Sequence, residues 1–199
     1  MPICHDQKLM FVHIPKNAGS TIESALDLLH KEKLFDTKKH PVYKVCPQHL
    51  YASEMLELEP KAKDYYKFAV VRSPFVRLLS EFFYQHDTKT MIHDLVKKMN
   101  FEQFLDYCFG LNENDRMFLF DRHLECQYKF LDVKGIEVFK FEKLNELFNK
   151  FEIPNHLHLR KSSGVYDISV FNEKHKKMTL EFYKKDFELY YPEQLENIF

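Results

Sequence analysis

Continuous apolar runs alternate along the chain with stretches in which apolar residues recur at helical spacing. The runs predict three buried strands, at about 8–14, 66–72 and 136–141. Each run precedes a helical pattern, at about 20–30, 75–85 and 142–150. Strands that alternate with helices predict an α/β fold with three layers, in which helices flank a central, mostly parallel sheet.

Weaker patterns fill the remaining sequence. They predict a short strand at 42–46, short helices at 52–58, 101–109 and 116–120, and one long charged helix at 170–190. The chain has no internal repeat and no low-complexity segment. Its 199 residues are enough for one domain with a real core. We therefore expect a single domain over 1–199.

Two polar loops follow predicted strands. After the first strand, Lys16, Gly19, Ser20 and Thr21 come in quick succession at the start of a helix. Backbone N–H groups, the positive end of the helix dipole and the lysine charge suit such a loop to a phosphate-like anion. Ligands of parallel sheets bind beyond the carboxyl ends of the strands, where this loop lies.

The second polar loop begins with Arg72 at the end of the second strand. Arg77 and Ser80 lie three residues apart on the helix that follows and share a face. Arg72 and Ser80 could converge on one phosphate, with the guanidinium making a bidentate contact. Taken alone, an ion pair of Arg72 beside a helix hydroxyl explains the same residues.

The first loop differs from the loop that binds nucleotide triphosphates. That motif reads G-x-x-x-x-G-K-[ST], whereas Lys16 precedes Gly19 and no glycine opens the loop. No carboxylate is evidently placed for Mg²⁺, so we expect an anion site that works without metal. His156 and His158 form an H-x-H pair, but no third ligand has suitable spacing. Ser20 and Thr21 could also cap the helix.

Composition and charge argue against several classes of binding partner and indicate a cellular location. The formal net charge of −1 argues against a general nucleic-acid binder. No apolar run reaches the length of a membrane span, and the N-terminal residues lack the pattern of a signal peptide. The cysteines are far apart and are expected to be reduced, mostly buried thiols: Cys4, Cys46, Cys108 and Cys126. A cytoplasmic location is therefore predicted.

The segments His-Ile-Pro-Lys-Asn-Ala-Gly-Ser-Thr at 13–21 and Arg-Ser-Pro-Phe-Val-Arg-Leu-Leu-Ser-Glu-Phe at 72–82 make a more specific pair. They resemble the two cofactor motifs of sulfotransferases that use 3′-phosphoadenosine 5′-phosphosulfate (PAPS). The resemblance is to the carbohydrate, Golgi-type branch, sulfotransferase family 2, which includes heparan sulfate 2-O-sulfotransferase. Asn17 stands where the family usually has Thr, and Ser20-Thr21 reverses the usual order. The segments 48–53 and 158–163 extend the resemblance over most of the chain.

The resemblance implies a P-loop-like sulfotransferase fold and roles for individual residues. Lys16 would stabilise charge on the leaving phosphate. His49, in the segment that supplies the base in the 2-O branch, would accept the acceptor's proton; His13, His123 and Glu54 are rivals. The residues implied to bind the cofactor are Lys16, Asn17, Ala18, Gly19, Ser20, Thr21, Arg72, Ser80, Lys161, Ser162 and Ser163.

The implied reaction is transfer of a sulfuryl group from PAPS to a hydroxyl of a carbohydrate or small molecule. It would be a direct in-line displacement that releases 3′,5′-adenosine bisphosphate (PAP) and needs no metal. A small P-loop-type nucleotide kinase is the first alternative, disfavoured by the lysine spacing. A relative that binds nucleotide without turnover is the second, disfavoured by intact Lys16, Arg72 and Ser80. The acceptor and the oligomeric state stay open.

Overall fold

The chain divides into two compact units, and the strands among its described residues all belong to the first. A computed structural model describes residues 2–26, 39–153 and 166–196. The first unit comprises Met1–Arg72 and Gln127–Arg160. The second comprises Ser73–Cys126 and Lys161–Phe199. The boundary falls inside the second predicted motif, between Arg72 and Ser73.

The sheet of the first unit is mostly parallel. Its strands, in sheet order, are β1 (Ile3–Cys4), β2 (Leu9–Val12), β3 (Tyr66–Val71) and β4 (Ile136–Lys140). β1 runs antiparallel to β2, whereas β2, β3 and β4 run parallel to one another. The three predicted strands are confirmed, each within two residues of its expected ends. β1 was not predicted, because two residues are too few for a periodic signal.

Helices account for most of the other described structure. In the first unit they are α1 (Gly19–Ala25), α2 (Ala52–Leu58), α7 (Gln127–Phe130) and α8 (Leu144–Lys150). Those of the second unit are α3 (Pro74–Asp87), α4 (His93–Val96), α5 (Phe101–Gly110), α6 (Glu113–Phe120), α9 (Glu173–Phe182), α10 (Lys184–Tyr190) and α11 (Pro192–Glu196). The strand–helix alternation in the first unit confirms the α/β prediction.

Phenylalanines on one sheet face form the core of the first unit. Phe11 stacks on Phe68 with ring centroids 5.0 Å apart, and Phe139 meets Phe68 edge-on at 6.5 Å. Ile22 of α1 and Leu147 of α8 complete the cluster. Full burial of such a side chain stabilises the fold by about 1.5–3 kcal/mol. This packing fixes α1, and with it the loop between β2 and α1.

The second unit is helical in its described residues and has its own aromatic core. Phe75 on α3 contacts Phe171 and Phe187, with ring centroids 5.0 and 5.3 Å away. Further along the same helix, Phe82 contacts Phe101 and Phe104, each at 5.3 Å. α3 is therefore the element around which this unit packs.

Two of the predicted secondary-structure elements are wrong. Residues 42–46 form turns and not a strand, because Lys44 takes a left-handed φ of 59° and its N–H bonds back to the carbonyl of His40. The last helix is broken, since α9 ends at Phe182 and α10 begins at Lys184. Tyr183, between them, is buried, and its hydroxyl donates to the carbonyl of Leu124 over 2.8 Å.

Other expectations from composition can be compared with the structure directly. All four cysteines are buried and none forms a disulfide. Burial raises the pKa of the Cys108 thiol well above its ordinary value. In the described ranges, every helix is too short or too polar to cross a bilayer.

Candidate functional site

The loop between β2 and α1 has an uncommon backbone. Lys16 and Ala18 take left-handed φ values of 71° and 65°, with Asn17 between them outside that region. Non-glycine residues seldom adopt this conformation, which costs about 1–3 kcal/mol and is concentrated at functional sites. Alternation of hand makes successive N–H groups converge on one point, as in anion-binding nests. The backbone of the loop is therefore compatible with the predicted anion site.

Helix α1 begins two residues earlier than it would if Ser20 were its N-cap. Ala18 is the N-cap, and no side chain caps this end. The N–H groups of Thr21 and Ile22 donate to the carbonyl of Ala18 over 3.0 and 3.1 Å. Ser20 and Thr21 thus fall inside the first turn. The alternative that they cap the helix is wrong, because Gly19 already belongs to it.

The Asn17 side chain faces the protein interior. It is 1% exposed, and its Nδ2 donates to the carbonyl of Val70 and to Oε1 of Gln127, each over 2.8 Å. Both partners are acceptors, so the orientation of the amide is determined. Asn17 can therefore contribute its backbone N–H to an anion, while its side chain ties the loop to the end of β3.

Arg72 lies against the same loop. Its Nη1 donates to the carbonyl of Lys16 over 3.1 Å, and its guanidinium lies 4.0 Å from the centre of the Phe141 ring. Arg72 is buried, whereas Lys16 is half-buried. The end of β3 thus places the Arg72 guanidinium against the backbone of the first loop within the first unit. Ser80 belongs to the second unit, where it is buried on α3.

A histidine–glutamate pair lies beside the loop. Nδ1 of His13 is 2.6 Å from Oε1 of Glu23 on α1. Oε2 of Glu23 accepts from Nε2 of Gln48 over 2.7 Å. The next residue, His49, meets the His13 ring edge-on with centroids 5.5 Å apart. One buried carboxylate therefore connects α1, the end of β2 and the segment that carries the predicted base.

The His13 ring also explains the glycine of the loop. A Cβ added at Gly19 would lie 2.2 Å from Nε2 of His13, far inside contact distance. Only glycine lets the imidazole pack against the start of α1. Glycine is required here because a larger side chain would clash with His13. This close contact couples the loop to the histidine–glutamate pair.

The charge of Glu23 depends on its partners. Burial alone would raise its pKa, but the charge and hydrogen bond of His13, with the hydrogen bond from Gln48, outweigh burial and lower the pKa. An ionised carboxylate only accepts hydrogen bonds, so Nδ1 of His13 carries the proton. The hydrogen bond therefore fixes the orientation of the His13 ring against Glu23.

The rival bases have other partners. The carboxylate of Glu54 accepts from the N–H of Tyr51 at the start of α2. His123, in the second unit, places Nδ1 2.8 Å from Oε2 of Glu81. In the same unit Arg77 donates to the carbonyls of His123 and Glu125 over 2.8 and 2.7 Å. Arg77 is thus committed to holding that segment.

Sequence reasoning missed several residues of this arrangement. Glu23 and Gln127 were not singled out, because a lone acid on a helix and a lone glutamine carry no spacing signal. Gln48 was noticed only as a neighbour of His49. The predicted Lys161, Ser162 and Ser163, like His156 and His158, lie outside the described residues.

Comparison with known proteins gives one family. The model of sulfotransferase family 2, described as a sulfotransferase family, matches residues 1–159. The chain belongs to the sulfotransferase family. The match includes the Lys16 loop, His49, Arg72 and Ser80, and it agrees with the α/β fold with its mostly parallel sheet. It does not separate the 2-O branch from others. No curated protein and no solved structure matches this sulfotransferase.

Proposed function

We propose that this sulfotransferase transfers the sulfuryl group of PAPS to a hydroxyl group of a carbohydrate by direct in-line displacement. The observation that carries the proposal is the loop of residues 15–19. Lys16 and Ala18, both non-glycine, take left-handed φ values in this loop, and the buried Arg72 guanidinium donates to the carbonyl of Lys16. Membership of the sulfotransferase family supports sulfuryl transfer as the reaction that this loop serves.

The chemistry of the donor matches the residues present. PAPS carries anionic groups at its 5′ and 3′ positions, and the loop N–H groups with Lys16 are suited to the 5′-phosphosulfate. The same residues lack the lysine spacing of a triphosphate loop. In this proposal Arg72, Ser80 and residues Lys161, Ser162 and Ser163 bind the 3′-phosphate or adenosine side. Those assignments rest on the motif resemblance.

The candidate site residues of the first unit then each have a defined role. PAPS supplies the sulfuryl group, whose sulfur forms a bond to the acceptor oxygen as its bond to the 5′-phosphate oxygen breaks. Lys16 and the loop N–H groups stabilise the negative charge that remains on that phosphate. His49 accepts the hydroxyl proton. Glu23, through His13 and Gln48, holds the histidine segment beside the loop.

Further parts of the proposal concern the whole protein. We expect residues 1–199 to function as one sulfotransferase domain. A cytoplasmic location is supported by four buried thiols outside disulfides, which are typical of a reducing compartment. The acceptor would be a glycan or a small hydroxyl compound, and cationic groups take the charge-neutralising role that a metal has in kinases.

A transfer assay tests the proposal. The protein is incubated with PAPS carrying a labelled sulfate and with a panel of glycans and small alcohols, and labelled product is measured. We expect label on a carbohydrate and formation of PAP in equal amount. Lys16→Met keeps the length of the side chain without its charge and should lower kcat by about 10²–10³-fold. Lys61→Met, on an exposed turn of the first unit, is the matched control. Absence of transfer to every acceptor would contradict the proposal.

A further inference from the structure

Gln127 is a fully buried amide at the first residue of α7. Its Oε1 accepts from the N–H of Arg72 over 2.9 Å, and its Nε2 donates to the carbonyl of Arg72 over 2.9 Å. The same Oε1 accepts from Nδ2 of Asn17 over 2.8 Å. One side chain thus bonds both the N–H and the carbonyl of Arg72, and it also holds the Lys16 loop.

This position is where ordinary sheet pairing stops. β3 pairs with β4 as far as Val71 opposite Lys140, so the backbone of Arg72 is the first beyond the ladder. A buried peptide group without partners costs about 1–3 kcal/mol. Gln127 replaces the missing strand neighbour, and through Asn17 it fixes the loop at the same time.

α7 is itself well supported. Phe130, one turn after Gln127, is fully buried and meets the ring of Tyr51 edge-on at 5.2 Å. Tyr51 follows His49 by two residues. Through Phe130, the short helix contacts the segment of the proposed base, and through Gln127 it contacts the Lys16 loop. The packing of Phe130 holds Gln127 in place.

We propose that Gln127 is a positioning residue for sulfuryl transfer. It sets the Lys16 loop against the end of β3, so that the loop N–H groups and the Arg72 guanidinium face the donor in one fixed arrangement. Asn17 is its partner in this task, which explains why an amide stands where the motif usually has Thr. The inference rests on the proposed function, since the donor it positions is PAPS.

The test compares Gln127→Met with a control variant that should destabilise the fold at least as much. Gln127→Met keeps the shape of the side chain and removes its three hydrogen bonds. Ile3→Ala removes a fully buried side chain from the edge strand β1 and should cost about 2–5 kcal/mol without touching the loop. Thermal unfolding establishes a temperature at which both variants are folded. PAP binding by calorimetry and kcat at saturating PAPS are then measured.

We expect Gln127→Met to weaken PAP binding and to lower kcat, each by about tenfold or more. Ile3→Ala should leave both near the wild-type values. Because Asn17 and Gln127 share one hydrogen bond, Asn17→Ala combined with Gln127→Met should lose less than the sum of the two single variants. Wild-type affinity and kcat in Gln127→Met, or full additivity in the double variant, would overturn the inference.

Hydrogen exchange tests positioning without any donor. Gln127→Met should speed exchange of the amides in residues 16–20 selectively, by about tenfold or more, whereas Ile3→Ala should not. Unchanged exchange in that peptide would overturn the inference even if the wild-type protein bound no PAP. Failure of the proposed function, by contrast, would appear in the wild-type protein itself, as absence of PAP binding and of transfer.

Discussion

Each unit of the protein contains a histidine–glutamate pair with a buried carboxylate, and the two pairs look alike in isolation. Nδ1 of His13 lies 2.6 Å from Glu23 in the first unit, and Nδ1 of His123 lies 2.8 Å from Glu81 in the second. Both glutamate side chains are at most 1% exposed. A buried carboxylate that orients an imidazole is a frequent arrangement in catalytic sites, so pair geometry alone favours neither.

The surroundings separate the pairs. Glu23 also binds Gln48 beside His49, and His13 lies against Gly19 in the Lys16 loop. Glu81 instead accepts from Gln85 one turn along α3, over 2.5 Å. The first pair thus connects the Lys16 loop with the segment of His49, whereas the second joins α3 to the segment of His123. A buried ionic pair acquires a functional interpretation from what its partners touch.

Replacement of the two candidate bases should give the largest contrast. His49→Ala removes the proposed proton acceptor and should lower kcat by about 10²–10⁴-fold, whereas His123→Ala should chiefly lower the unfolding temperature. Steady-state kinetics at saturating PAPS and thermal unfolding measure the two effects. Near-normal turnover in His49→Ala, with a large loss in His123→Ala, would transfer the role of base to the second pair.

Neutralisation of the two glutamates should give a smaller contrast in the same direction. Glu23→Gln weakens the hold on both His13 and Gln48, and we expect kcat to fall by about tenfold. Glu81→Gln should leave kcat within about twofold of the wild-type value once its unfolding temperature is taken into account. Equal losses of kcat in the two variants would mean that the surroundings do not distinguish the pairs.

Two glycines allow a matched test of the loop. Gly19→Ala places a Cβ against the His13 ring and should destabilise the fold by about 1–3 kcal/mol, with weaker PAP binding. Gly110→Ala, at the end of α5, meets nothing within 4 Å and should be neutral or slightly stabilising. Denaturant unfolding and calorimetry check both. Normal PAP affinity in Gly19→Ala would contradict the coupling of loop and histidine pair.

The smallest expected effect is on acid stability. The folded-state pKa of Glu23 lies below its ordinary value of 4.5, so its ionised form stabilises the fold above that pH. This stabilisation is lost as the pH falls below 4.5 through the folded pKa. Glu23→Gln should therefore shrink the loss of stability in that range, measured by denaturant unfolding at several pH values. Glu146→Gln, in an exposed pair with Lys143, is the control. An identical acid profile in Glu23→Gln and the wild type would contradict the assignment.

The features that could be predicted from the sequence are those set by interactions between residues close in the chain. Strands β2, β3 and β4 and the loop at Lys16 could be predicted, because apolar runs and a strand-to-helix turn are local patterns. The link between Asn17 and Gln127 could not, since it joins residues 110 positions apart. The broken last helix was missed for a similar reason: Tyr183 leaves the helix to bond Leu124, 59 positions away.

In the proposed function, the loop at Lys16 holds the 5′ end of a nucleotide phosphorylated at both ends. Calorimetric titration of the wild-type protein and Lys16→Met with PAP, ATP and ATP–Mg²⁺ tests it most directly. We predict that PAP binds more tightly than ATP with or without Mg²⁺, and that Lys16→Met weakens PAP binding by about tenfold or more. Preference for ATP, or PAP binding unaffected by Lys16→Met, would contradict the account.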